Sequence, residues 1–79
     1  MELKAIHHAA IIVSDYRLAR EFYVEKLELP VLGEHFRPER NDWKLDLALG
    51  DGQLEIFSAP AAPRRPDRPE ARGLRHLAF

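Results

Sequence analysis

Apolar and polar positions follow different periods along this chain, and each change of period marks an element. Residues 6–13, Ile6-His7-His8-Ala9-Ala10-Ile11-Ile12-Val13, form an apolar run that is β-branched toward its end and stops at Ser14-Asp15. That pattern predicts a largely buried strand. Ser14 or Asp15 can then cap a helix, since their side-chain oxygens accept from the unpaired N–H groups of a first turn. Leu18, Ala19, Phe22, Tyr23 and Leu27 recur at steps of three and four, with Arg17, Arg20, Glu21, Glu25 and Lys26 on the other face. The spacing predicts an amphipathic helix over about 15–27, which Pro30 prevents from continuing. A second strand is expected over about 31–37, followed by a polar connection, Pro38-Glu39-Arg40-Asn41-Asp42.

From Trp43 the chain alternates strictly. Trp43, Leu45, Leu47 and Leu49 share one face and Lys44, Asp46 and Ala48 the other. Gly50-Asp51-Gly52 offers positive-φ positions for a tight hairpin, and Gln53-Leu54-Glu55-Ile56-Phe57-Ser58 is the return strand. The order β, α, β, β, β describes an α+β fold: a small sheet with one helix across one face. It accounts for residues 1–58. Residues 59–73 lose all periodicity, with Pro60, Pro63, Pro66 and Pro69 interleaved with Arg64, Arg65, Arg68 and Arg72. Proline removes ladder donors, so this is an extended linker. Residues 74–79, Leu74-Arg75-His76-Leu77-Ala78-Phe79, resume a strand pattern.

That last segment repeats the first strand. Ile6-His7-His8-Ala9-Ala10-Ile11 and residues 74–79 share the order apolar, basic, His, apolar, Ala, apolar, with His76 lying 68 positions after His8. A period of this length suits one βαβββ module plus a linker, so residues 74–79 are expected to open a second copy of the module.

Composition narrows the function. The 79 residues carry 46% apolar and 32% charged side chains, the balance of a soluble globular chain. A net charge of −1 provides no field for nucleic acid or an anionic membrane, so neither is expected as a partner. The absence of cysteine excludes a disulfide framework and a thiolate metal site. No stretch resembles a signal peptide or a membrane span, and a cytoplasmic location is the expectation.

Alternation along strands then places the chemistry. His8 shares a face with Ala10 and Ile12, and Glu55 shares one with Gln53 and Phe57. If the helix covers the leucine face of the third strand, the opposite sheet face gathers His8, Lys44, Asp46 and Glu55. Imidazole and carboxylate are donors that a first-row divalent ion accepts, and an inward carboxylate is costly unless paired or coordinated. Each residue also has a plainer reading. A strand histidine can be a hydrogen-bonded structural residue, and Glu55 can be solvated on an open face. Lys44 and Asp46 are expected to pair with each other or to face water. His7 is expected to point to the helix side and His35 to be structural. Arg37, Arg40, Trp43 and Lys44 lie near the entry of the third strand, where they suit either an anionic substrate or a solvated edge. The set of His8, Glu55 and the repeated His76 is what raises the metal reading.

At these residues the chain resembles the vicinal oxygen chelate superfamily, which includes glyoxalase I, methylmalonyl-CoA epimerase, extradiol dioxygenases and the fosfomycin and bleomycin resistance proteins. Residues 6–11 look like its opening strand with the ligand histidine. Phe22-Tyr23, Leu27 and Leu29-Pro30 look like its helix motif, with Glu28 where a glycine is usual. Leu54-Glu55-Ile56-Phe57 looks like the strand with the acidic ligand, and residues 73–79 look like the start of the second module. Residues 43–49 together with the linker are most similar to a bacterial subgroup called glyoxalase I-like or lactoylglutathione lyase-like.

The resemblance implies a divalent metal ion (Zn, Ni, Mn or Fe) held by His8, Glu55 and His76, with a fourth ligand, a glutamate, from the second module. It implies a lyase or isomerase acting on a small α-oxygenated carbonyl or hemithioacetal substrate. By analogy Glu55 is also the candidate catalytic carboxylate. The same family includes ligand-sequestering binders of the resistance type and ring-cleaving dioxygenases, which are the alternative readings. A site built from two modules is expected to need either a longer chain or a homodimer, unless the chain is an inactive remnant.

Overall fold

The computed structural model describes residues 1–79, and its elements follow the expected order. Strand β1 spans His8–Val13, β2 Val31–Arg37, β3 Asp42–Leu49 and β4 Gly52–Ser58. They form one sheet in the order β1-β4-β3-β2. β1 runs parallel to β4, and the two other pairings are antiparallel. A single helix makes the crossover from β1 to the far edge of the sheet. No helix is long and apolar enough to cross a membrane.

The helix begins as an α-helix, α1, over Tyr16–Arg20, capped by Asp15, whose Oδ1 accepts from the Leu18 N–H at 3.0 Å. It then widens to π-type bonding over Glu21–Lys26, and the Leu27 N–H reaches the Phe22 carbonyl at 2.9 Å. The sequence pattern foresees one uniform helix here. The wider turn is the difference, and the helix ends on Glu28 with φ +57°. This left-handed position is where glycine normally closes a helix, because a Cβ there crowds the following carbonyl. Glu28→Gly is therefore expected to stabilise the protein by about 0.5–1 kcal/mol, read as a shift of the urea midpoint. A destabilised variant would refute this reading of the helix exit.

The helix covers the face that alternation assigns to it. Leu45, Leu47, Leu54 and Ile56 are 0% exposed, and Ala9, Ile11, Val13, Tyr16, Ala19, Tyr23, Val24 and Leu29 pack around them. All four fully buried side chains belong to the two central strands, where Leu45 faces Ile56 and Leu47 faces Leu54 across the pair. The β3–β4 hairpin closes with two residues, Gly50-Asp51. Only Gly50 has positive φ, +58°, as the first central residue of a type II′ turn does. Gly52 serves a different need, since a Cβ there would lie 3.1 Å from the Ile6 carbonyl oxygen and 3.2 Å from that of His7. That close approach lets the Gln53 N–H reach the His7 carbonyl at 3.0 Å.

Strand β2 contains an irregularity. Val31 pairs with Leu47 and Gly33 with the next residue, Asp46, so Leu32 is extra and bulges outward. The bulge puts Glu34 on the helix face, opposite Leu45. There the helix receives it: the Tyr16 hydroxyl donates to Oε2, and Arg20 Nε donates to the same oxygen at 2.8 Å. Tyr16 also stacks on Trp43 at 5.2 Å between ring centroids. The Arg20 guanidinium and then the Tyr16 hydroxyl hold the Glu34 carboxyl below its ordinary 4.5. Burial, followed by the bond to Glu34, pushes the Tyr16 phenol upward. A carboxyl lowered in the folded state adds stability that is present above its unfolded pKa and lost as pH falls through the folded one. Stability is thus expected to decline from about pH 4.5 downward. Glu34→Gln should flatten that limb of a urea-midpoint profile, and an unchanged limb would sink the assignment.

Residues 74–79, expected as a strand, form none. They are exposed and have no neighbouring strand, and extended backbone is held in place only where a ladder receives its donors and acceptors. The preceding linker is irregular, with one turn in which the Ala62 N–H reaches the Ala59 carbonyl at 2.9 Å.

Candidate functional site

The sheet face away from the helix carries the polar side chains that the sequence places there. Pairing register sets them in rows across the strands. His8, Gln53 and Ala48 form one row, followed by Ala10, Glu55, Asp46 and Gly33, and then by Ile12, Phe57, Lys44 and His35. His8 starts β1 and is 46% exposed, whereas Glu55 in the central strand is only 18% exposed. Their reactive atoms, His8 Nε2 and Glu55 Oε2, stand 3.7 Å apart. Two donors at about 2.1 Å from one tetrahedral ion lie about 3.4 Å apart, so a small movement would let both reach the same ion. An imidazole nitrogen and a carboxylate oxygen are also a donor pair that first-row divalent ions accept. On both geometry and chemistry, these two residues fit a metal.

His7 departs from expectation. It does not turn toward the helix but lies exposed beside His8, with the two rings edge to face at 5.1 Å and their Nδ1 atoms 2.9 Å apart. The strand begins only at His8, so His7 stands outside the pleat that would have turned it inward. The contact bears on His8 directly. The tautomer in which His8 Nδ1–H donates to His7 leaves His8 Nε2 with a free lone pair, the form a metal ligand needs.

His76, the third expected ligand, lies exposed in the tail, and no set of three or more His, Cys, Asp or Glu side chains converges to hold an ion. The structure therefore brings together His8 and Glu55 and leaves His76 apart, on a segment that has no strand partner. His35 bends over Gly33, its Nε2 lying 3.2 Å from where a Cβ would stand. The Lys44–Asp46 pairing forms, with Nζ 3.2 Å from Oδ1, and Lys44 also lies 3.8 Å from Glu55 Oε1. Sequence reasoning anticipated the first contact and missed the second. Register could have supplied it, because Lys44 is diagonal to Glu55 once Asp46 faces Glu55.

The cations near the entry of β3 are mostly engaged. Arg37 forks onto Asp42 with Nε and Nη2 each donating at 2.7 Å, and it lies 5.0 Å over the Phe57 ring. That guanidinium holds the Asp42 carboxyl below its usual range. Trp43 faces the helix side, so it cannot line this face. The Trp43 backbone N–H donates to Ser58 Oγ at 2.8 Å. Arg40 is left as the one cation of the set without an ion-pair partner. It borders a shallow depression of about 380 Å³ lined by Ala10, the direct cross-strand partner of Glu55, and by Ile12 and Phe57 in the next row.

Comparison with known proteins identifies the family and the fold. Residues 5–79 match the family described as the Glyoxalase/Bleomycin resistance protein/Dioxygenase superfamily. The uncharacterized protein YwkD of Bacillus subtilis (strain 168) is 56% identical over 80 residues, covering 100% of this chain and 62% of that protein. The uncharacterized protein YaeR of Escherichia coli (strain K12) is 51% identical over 78 residues, covering 98% and 60%. The crystal structure of a glyoxalase family protein from Enterococcus faecalis superimposes with a TM-score of 0.88 at 58% identity, covering 100% of this chain and 63% of that one. The chain thus spans about three fifths of the length of the curated relatives it matches.

Proposed function

Because the chain belongs to the glyoxalase/bleomycin resistance protein/dioxygenase superfamily, we propose that it is part of a divalent-metal-dependent, glyoxalase I-like lyase or isomerase. Its substrate would be a small α-oxygenated carbonyl compound or a hemithioacetal. The observation that carries this reading is the approach of His8 Nε2 to Glu55 Oε2, 3.7 Å apart on an uncovered sheet face. His8 and Glu55 would hold the ion, with His76 as the third ligand by its place in the repeat. When bound, the ion would polarise a carbonyl oxygen and stabilise the negative charge that develops on it. By analogy with the family, Glu55 would also be the carboxylate that moves a proton next to that carbonyl. Phe57, Ile12 and Ala10 give the neighbouring surface its apolar character and would help keep water from the reacting atoms.

The test uses the full-length protein. Metal analysis after purification at neutral pH is expected to find one divalent ion per site. Incubation with methylglyoxal and a panel of thiols is expected to give a thioester whose absorbance rises with time, and prior chelation of the ion is expected to abolish that rise. A protein without stoichiometric ion and without turnover, yet able to bind a ligand of this class, would instead be a sequestering binder of the resistance type.

A further inference from the structure

Lys44 occupies an unusual position on the open face. Asp46 and Glu55 are direct cross-strand partners, and Lys44 lies diagonal to Glu55 across the same strand pair. Two carboxylates on paired positions repel each other, and a shared cation removes the repulsion. The chain supplies that cation itself: Lys44 Nζ stands 3.2 Å from Asp46 Oδ1 and 3.8 Å from Glu55 Oε1. The ammonium also lies 5.7 Å from the centroid of the Phe57 ring, an additional favourable contact that helps keep it over the sheet. Asp46 Oδ1 is buried and accepts no hydrogen bond despite this proximity, so charge is its main compensation. The two oxygens of Glu55 are divided as a result, with Oε1 facing Lys44 and Oε2 facing His8.

We propose that Lys44 determines the ion preference of the candidate site by filling the cation position between Asp46 and Glu55. The proposal rests on His8 and Glu55 being metal ligands. With Lys44 in place, Asp46 stays out of the donor set and Glu55 offers a single oxygen. An imidazole with one carboxylate oxygen suits ions such as Zn²⁺ and Ni²⁺. Without Lys44, Asp46 would be free to turn toward the ion as a second carboxylate beside Glu55, and oxygen-rich sites favour Mn²⁺ and Ca²⁺.

The experiment measures binding of Zn²⁺, Mn²⁺ and Ca²⁺ chlorides to the demetallated full-length protein by competition with a fluorescent chelator. Lys44→Met is expected to raise Mn²⁺ and Ca²⁺ affinity at least ~10-fold relative to Zn²⁺, because the freed Asp46 carboxylate adds an oxygen donor that the harder ions favour. Lys44→Arg, which keeps the charge, should hold the wild-type preference. Adding Asp46→Asn to Lys44→Met should return the preference to that of the wild type. Lys44→Gln carries the same expectation as Lys44→Met should the latter not fold. An unchanged preference in the uncharged variants, or a gain that survives Asp46→Asn, overturns the proposal while leaving the ligand assignment intact. Wild-type protein that binds none of the three ions overturns both.

Discussion

Replacing Glu55 with glutamine in the full-length protein is expected to abolish stoichiometric metal binding while leaving the fold in place. Glutamine has the size and shape of glutamate, so the β4 backbone and the Leu54 and Ile56 side chains on the opposite face need not move. What disappears is the negative charge that attracts a divalent ion and the carboxylate oxygen that faces His8. Substitutions in the shell behind metal ligands commonly weaken binding about 10–100-fold, so loss of a ligand should exceed ~100-fold. Glu55 is only 18% exposed and lies in the sheet interior, where screening by solvent is weak. His8→Ala is expected to have a similar effect on the ion, and His35→Asn almost none, since His35 Nε2 is directed over Gly33. The measurement is ion content by mass spectrometry after gel filtration, with the urea midpoint as the control for folding. Retention of a full complement of ion by Glu55→Gln with an unchanged midpoint would remove Glu55 from the site.

That prediction depends on faces, and faces were what the amino-acid pattern made legible. Strict alternation over residues 43–49 and 53–58 placed Leu45, Leu47, Leu54 and Ile56 under the helix and Asp46 and Glu55 on the other side, as the structure has them. The bounds of β2 were also readable, but its bulge was not. Nothing in Val31-Leu32-Gly33 says which residue is extra, and only pairing with Leu47 and Asp46 reveals it. The clamp of Tyr16 and Arg20 on Glu34 depends on that bulge and was invisible for the same reason. The π-type widening over Glu21–Lys26 escaped because apolar spacings of three, four and five residues are hard to tell apart over two turns. His7 was misplaced by extending the strand two residues too early. The fate of residues 74–79 lay outside any local pattern, since a strand exists only with a neighbour to pair with. His76 accordingly shares the sequence context of His8 without sharing its surroundings.

The second large effect is expected in the core. Leu54→Ala in the full-length protein should cost about 3 kcal/mol, within the 2–5 range of buried leucine truncations. Leu54 and its partner Leu47 are both 0% exposed and lie directly opposite each other on the central strands. Strands with a neighbour on each side and a helix above cannot collapse readily into the vacated volume, which keeps the cost above the low end of that range. Only four side chains are fully buried in the whole chain, so each carries a large share of the apolar stabilisation. Domains of this size are usually stable by roughly 5–10 kcal/mol, and a loss of about 3 is a substantial fraction of that. Ile56→Val, which removes one methylene, should cost about 1 kcal/mol and serves as the graded control. Both are read as urea midpoints at constant slope. A loss below about 1 kcal/mol for Leu54→Ala would mean that the central strand pair is not where this module is held together. The same truncation should weaken metal binding only in proportion to unfolding, since Leu54 faces the helix and Glu55 the opposite side of the sheet. Measured together, the two variants separate the face that holds the fold from the face that holds the ion.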